Sequence, residues 1–356
     1  RELKELKRVI ESTFVVEHDL TKEFEQATKE LTGSKHAIAL TNGTMALFAS
    51  LVALGVSSGD EVIVPNITFV ATANAVILAG GTPVLCEIKE ETYTIDITKA
   101  EGLITAKTKV IIPVHLYGQS ADMDEVMEFA KKHGLKVLED AAQGVGVKFN
   151  NKHTGTFGDI GILSYYGNKT ITCGEGGVVL TDNDELAKKV YRLKNHGRDT
   201  KGTFIHDEIG FNFAFTEMQA AVGISQMKKL PAIIDRKKEI HDLYERQLSG
   251  LGRFKITYLD KRSTPVFWFT SFICEDVDEL SAYLLESQIQ TRRFFYPLHM
   301  QPCYSDKKYI KNIDDDFSIS TKVYDKGISL PSSFLMSESD QLLVITKIWD
   351  FYENRN

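Results

Sequence analysis

The sequence predicts an α/β fold built on a mainly parallel sheet, followed by a smaller α+β unit. Three observations carry this. Over the first two-thirds of the chain, short apolar runs alternate with helical stretches. Several of those helices end in glycine, which closes a helix in the left-handed conformation. After Gly252 the regular alternation gives way to separate strand, helix and strand patterns. Strand runs that are apolar throughout need cover on both faces, the arrangement of a parallel sheet with helical crossovers.

The predicted strands are 37–40, 61–65, 82–88, 109–114, 135–140, 160–165 and 177–182, with helices over 44–55, 68–80 and 122–134. A long helical region runs from Thr216 to Leu248 with a break at Leu230-Pro231, because proline opens a helix but does not continue one. Beyond it, VFWFTSFICE (266–275) reads as a strand, DVDELSAYLLES as a helix and IQTRRFF as a further strand. A polar loop with Asp314, Asp315 and Asp316 then leads to a final helix near 339–353. At 356 residues the chain exceeds the usual size of one domain. The expected division is 1–235 for the large domain and 236–356 for the smaller one, with the boundary inside the long helix.

Composition narrows the function. The chain is 43% hydrophobic and 26% charged, with a net charge of −7 and no block rich in lysine and arginine, so neither nucleic acid nor a membrane surface is an expected partner. No run of 18 apolar residues occurs and no signal-peptide pattern opens the chain, which begins at Arg1. Cys86, Cys173, Cys274 and Cys303 are widely spaced, without metal-site or disulfide patterning, and read as reduced thiols of a cytoplasmic protein. No metal is expected.

The chemistry sits at strand ends. SYYGNKTITCGEGG (164–177) contains Lys169, the one lysine or arginine between His153 and Lys188. LKVLEDAAQG places Asp140 at the end of a buried strand, with Gln143 three residues on; Asp140 reads either as the cap of a following helix or as a functional carboxylate. In LTNGTMALFASL, Gly43 and Thr44 lie between a strand and a helix, where backbone N–H groups suit a phosphate; simple N-capping by Thr41 or Thr44 is the competing reading. Ser164 closes another strand. A lone lysine, a carboxylate and phosphate donors at one sheet edge suit pyridoxal 5'-phosphate, which needs an amine, a partner for its ring nitrogen and a phosphate cradle.

TNGTMAL, VPNITFVATANAV, VHLYGQSADM, VLEDAAQGVG, SYYGNKTITCGEGG, NHGRD, GFNFAFTEMQAAVG and RRFFYPLHMQPCY occur in this order. With them the chain resembles the DegT/StrS sugar aminotransferases, of the aspartate aminotransferase-like fold (PLP fold type I), from about Phe24 to the C-terminal helix. The resemblance implies Lys169 as the Schiff-base lysine and proton shuttle, Asp140 as partner of the pyridinium nitrogen, Gln143 near the phenolic oxygen and Phe69 stacked on the ring. Gly43, Thr44 and Ser164 match phosphate contacts. Asn212 matches an asparagine that reaches the phosphate of a neighbouring subunit, which implies a homodimer with shared active sites. The chain departs from the family at Ala214, where arginine is common, and in lacking a glycine before the FE pair of TKEFEQ.

The family aminates nucleotide-linked keto sugars with L-glutamate as donor. The run IQTRRFFYPLHMQPCY is most similar to perosamine-forming members, which implies GDP-4-keto-6-deoxymannose as substrate. UDP- or dTDP-4-keto-6-deoxyglucose is the alternative, and a PLP-dependent sugar dehydratase a more distant one. The same resemblance sets His299 and Phe295 or Tyr296 near the sugar, and Arg292 or Arg293 near the nucleotide or in structural ion pairs. His299 also reads as a satisfied loop histidine.

Overall fold

Runs of valine, isoleucine and leucine form the central sheet of the computed structural model, which describes residues 1–199, 202 and 204–353. The strands are β1 (His36–Leu40), β2 (Glu61–Pro65), β3 (Thr82–Cys86), β4 (Thr108–Ile111), β5 (Lys136–Asp140), β6 (Ile160–Ser164) and β7 (Gly177–Thr181). Their order is β1-β7-β6-β5-β4-β2-β3. Helices return the chain between most of these strands, so β3, β2, β4, β5 and β6 pair in parallel. No helix separates β6 from β7. The chain turns back through residues 165–176, and β7 runs antiparallel to both β6 and β1.

Side chains alternate across the sheet as a period of two requires. Ile160 and Ile162 of β6 and Val179 of β7 face a core shared with Ala46, Leu47 and Leu51 of the helix Gly43–Ala53. Leu163, Val178 and Leu180 face a second core with Phe24, Phe215 and Ala221. Each fully buried aliphatic side chain of this kind contributes about 1.5–3 kcal/mol. The sheet is therefore covered on both sides, as its apolar strands predict.

The helical region after Thr216 divides into Glu217–Met227 and Leu230–Leu248, with Pro231 in the first turn of the second. Leu230 and Ile233 join the second core of the large sheet, whereas Ile240, Tyr244 and Leu248 join the core of a smaller sheet. That sheet has four antiparallel strands, β8 (Phe254–Ile256), β9 (Thr270–Cys274), β10 (Arg292–Arg293) and β11 (Gly327–Leu330), in the order β8-β9-β11-β10.

Two predicted strands are shorter than their sequences imply. Val266–Phe269 leaves the ladder because it is drawn against the loop after β4. Gly118 there has φ +83°, and a Cβ on it would stand 1.7 Å from the Val266 carbonyl oxygen; the Val266 N–H donates to the Gly118 carbonyl at 3.0 Å. Only glycine permits that approach. Of IQTRRFF, only Arg292 and Arg293 pair with β11; the Phe294 N–H still donates to the Gly327 carbonyl at 3.3 Å, and the Phe295 N–H donates instead to the Tyr117 hydroxyl. Cys86, Cys173 and Cys274 are buried and Cys303 is exposed. Among the described residues no helix is long and apolar enough to cross a membrane.

Candidate active site

The carboxyl ends of β1, β5 and β6 bring the predicted residues to one edge of the sheet, where ligands bind in open α/β folds. Asp140 ends β5 and is buried; its Oδ2 accepts from Thr72 Oγ1 at 2.7 Å and its Oδ1 from the Ala142 N–H at 3.1 Å. No helix starts after Asp140, so the helix-cap reading fails: the contact to Ala142 is a local turn. Thr72 is itself bonded to Thr68 at 2.9 Å, which fixes the hydroxyl that faces the carboxylate.

Lys169 lies in the turn from β6 to β7. Its Nζ stands 4.1 Å from the centre of the Trp268 ring, and the Trp268 indole N–H donates to the Asn168 carbonyl at 2.6 Å. Burial lowers the Lys169 amine from 10.5 to about 8, while the charge of Asp140 acts in the opposite direction. Burial thus raises the neutral fraction of the amine near neutral pH well above that of a free lysine.

At the end of β1 the helix Gly43–Ala53 presents its N-terminus. Its cap is Asn42, whose Oδ1 accepts from the Met45 N–H at 2.9 Å, rather than Thr41 or Thr44. Thr44, in the first turn, is half-buried. A Cβ at Gly43 would meet Ser164 Oγ at 3.2 Å, so glycine keeps open the space between the helix end and the Ser164 hydroxyl. These groups form a cradle suited to an anion.

Tyr117, which sequence reading did not single out, connects several of the others. Its N–H donates to Gln143 Oε1 at 2.6 Å, and its hydroxyl accepts from the Phe295 N–H at 2.8 Å. The Phe295 ring stacks on Tyr117 at 5.3 Å and lies 5.9 Å from Phe69. Phe69 is 53% exposed at this edge, an open aromatic face. The signal for Tyr117 was its place in VHLYGQ, just after a strand end; its left-handed backbone (φ 53°) and its partners are tertiary facts.

The remaining residues separate. Tyr296 packs against Tyr324 rather than with Phe295. His299 is pinned by Asn66: its N–H donates to Asn66 Oδ1 at 3.0 Å, and its Nδ1 accepts from Asn66 Nδ2 at 2.8 Å. Burial lowers its pKa, partly offset by the charge of Glu87, which favours the neutral ring. Arg293 is engaged by Asp278 and the Asp325 carbonyl. Arg292 lines a cavity of about 490 Å³ together with Lys169. Asn212 is exposed on the segment that passes the end of β1, where its Oδ1 accepts from the Ala214 N–H at 3.4 Å. Its backbone bridges to Asn195.

Residues 1–349 match the DegT/DnrJ/EryC1/StrS aminotransferase family. The chain is 38% identical over 338 residues to the GDP-perosamine synthase of Escherichia coli O157:H7, covering 93% of this chain and 90% of that protein. It is 39% identical over 324 residues to the GDP-perosamine synthase of Caulobacter vibrioides, covering 89% and 86%. The crystal structure of NtdA from Bacillus subtilis with bound cofactor PMP superposes with a TM-score of 0.90 at 30% identity, over 98% of this chain and 80% of that one. With a family match spanning nearly its whole length, the chain belongs to the DegT/DnrJ/EryC1/StrS aminotransferase family and is a pyridoxal-phosphate-dependent sugar aminotransferase.

Proposed function

We propose that the chain transfers the amino group of L-glutamate to C4 of a nucleotide-linked 4-keto-6-deoxyhexose, with GDP-4-keto-6-deoxymannose as substrate. The observation that carries the choice of sugar is the similarity, over 89–93% of the chain, to two GDP-perosamine synthases.

The residues at the sheet edge fit the cofactor. Gly43, Thr44 and Ser164 are the groups to hold its phosphate, Phe69 to cover its ring, Gln143 to meet the phenolic oxygen and Asp140 to keep a proton on the ring nitrogen. Bound pyridoxal phosphate supplies an aldehyde that accepts an amino group and a ring that withdraws electrons from the breaking bond. Lys169 Nζ takes a proton from the α-carbon of the donor in one half-reaction and delivers one to C4 of the sugar in the other. Trp268 orients that amine. Phe295 and His299 border the sugar, with His299 available as a neutral hydrogen-bonding group.

We also propose a homodimer in which Asn212 completes the phosphate cradle of a second copy. Its exposure supports this, as do the neighbouring Ile209 and Phe211, apolar side chains left in the open on the same segment.

Two measurements test the reading. Protein loaded with cofactor is first aminated with glutamate and freed of excess donor. Each keto sugar is then added alone while the cofactor absorbance is followed. Recovery with the GDP sugar only is expected. Recovery with a UDP or dTDP sugar only keeps the chemistry and moves the substrate to the 4-keto-6-deoxyglucose series. The second concerns Lys169. Only its neutral amine reacts with an aldehyde, so capture of pyridoxal phosphate by cofactor-free protein speeds up with pH, with an expected midpoint of about 8. A midpoint near the ordinary lysine value of 10.5 contradicts the role given to burial.

A further inference from the structure

Tyr117 is buried and holds a left-handed backbone (φ 53°, ψ 23°) that bulky residues seldom adopt. The loop around it is locked by a pair of fully buried side chains, His115 and Glu139. His115 Nε2 donates to Glu139 Oε2 at 2.9 Å, its Nδ1 accepts from the Ala121 N–H at 3.2 Å, and its backbone N–H donates to the Asp140 carbonyl at 3.0 Å. Glu139 also accepts from the N–H groups of Gly155 and Gly158, each at 2.7 Å. A buried carboxylate with this many donors leaves the loop little freedom. From that loop Tyr117 reaches three parts of the site. Its N–H meets Gln143, its ring packs at 6.4 Å and 23° against Trp268, which carries Lys169, and its hydroxyl accepts from the Phe295 N–H at 2.8 Å. Phe295 in turn begins a segment strung between two strand ends of the large sheet. Tyr117, beyond β4, holds one end. Asn66, just past β2, holds the other, where its carbonyl accepts from the Leu298 N–H at 2.8 Å and its Oδ1 from the His299 N–H at 3.0 Å.

We propose that Tyr117 is a positioning residue for the acceptor sugar: its hydroxyl sets where the Phe295 wall stands relative to the amine of Lys169. The hydroxyl takes no part in moving the proton; it acts through Phe295, across 178 residues of chain and from the large sheet to the segment that leaves β10 of the smaller one. Phenylalanine at position 117 keeps the ring, its stacking on Phe295 and Trp268 and the backbone N–H to Gln143, and deletes only the acceptor. The partly buried Phe295 N–H then lacks a partner, and the segment shifts to relieve it. The donor half-reaction depends on Lys169, whose contact with Trp268 does not pass through that hydroxyl. The acceptor half-reaction also needs the wall. The inference rests on the place given to Phe295 beside the sugar under the proposed function.

Tyr117→Phe and Phe295→Ala, each checked for folding by a thermal melt, are compared with the wild type by hydrogen exchange and by the two half-reactions. In Y117F, deuterium uptake over residues 294–299 rises while the segment around Gln143 exchanges as in the wild type. KM for the keto sugar rises by about tenfold, the loss of one hydrogen bond, and KM for glutamate changes by less than about twofold. Phe295→Ala raises KM for the sugar at least as much. Unchanged exchange over 294–299 in Y117F overturns the proposal, as does an equal rise in KM for both substrates. So does a Y117F protein whose sugar KM stays at the wild-type value while that of F295A rises. If neither variant alters the sugar KM, the place of Phe295 beside the sugar is what fails, and the role of Tyr117 fails with it. If the loaded wild type aminates no keto sugar, the substrate reading falls separately, and exchange over 294–299 still decides whether Tyr117 holds the segment.

Discussion

Replacing Lys169 by alanine is expected to lower both half-reactions by at least about 10³-fold while leaving the fold intact, because no other amine at the sheet edge is placed to move the proton. Lys237, the other cation of lowered pKa in the cavity, is tied to the carbonyl oxygens of Trp268 and Ser332 and is not placed to substitute. The change in stability is small. The variant loses a cation–π contact with Trp268, worth about 1–2 kcal/mol, and is relieved of a buried amine of opposite effect. Single-turnover amino transfer, together with a thermal melt, makes the measurement. Lys169→Arg separates charge from proton transfer. It retains the cation over Trp268 but is never neutral at accessible pH, so it is expected to be as inactive as the alanine variant. Full activity in Lys169→Ala would end the proposed mechanism.

Asp140→Asn is expected to slow the glutamate half-reaction by about 10²- to 10³-fold. The amide keeps the shape of the carboxylate: its oxygen can still accept from the Ala142 N–H, so the local turn survives, while its NH2 group faces the Thr72 hydroxyl, which then accepts instead of donating. The negative charge that keeps a proton on the ring nitrogen does not. A second readout works without turnover. The charge of Asp140 raises the Lys169 pKa against the larger effect of burial. Removing that charge therefore moves the pH midpoint of pyridoxal phosphate capture below the wild-type value of about 8. If Asp140 served only to shape the turn, activity and midpoint would both stay at wild-type values.

Lys169 was legible because its surroundings in the sequence are so poor in charge: a single basic residue between His153 and Lys188, in a segment joining two apolar runs. Asp140 and Ser164 were legible as polar residues closing buried strands. The helix after β1 was legible too, but its cap was not. Thr41, Asn42 and Thr44, all within four positions, can cap, and backbone geometry selected Asn42.

The sequence by itself determined the seven strands of the large sheet and their order along the chain, since apolar periodicity is a local property and each buried strand declares itself within about five residues. It also determined which polar side chains stand at the strand ends. Only the tertiary structure decided how they are oriented. Tyr117 meets Gln143 and Phe295 across 26 and 178 residues of chain, and Trp268 meets Asn168 across 100. The turning of Val266–Phe269 out of its predicted strand depends on the approach to Gly118, a contact between segments with no common sequence pattern. The cationic cavity likewise arises because Lys169, Lys237 and Arg292 come from three separate elements. Local patterns record burial and backbone preference, whereas charge in a cavity and the stacking of rings depend on which distant surfaces the folded chain brings together.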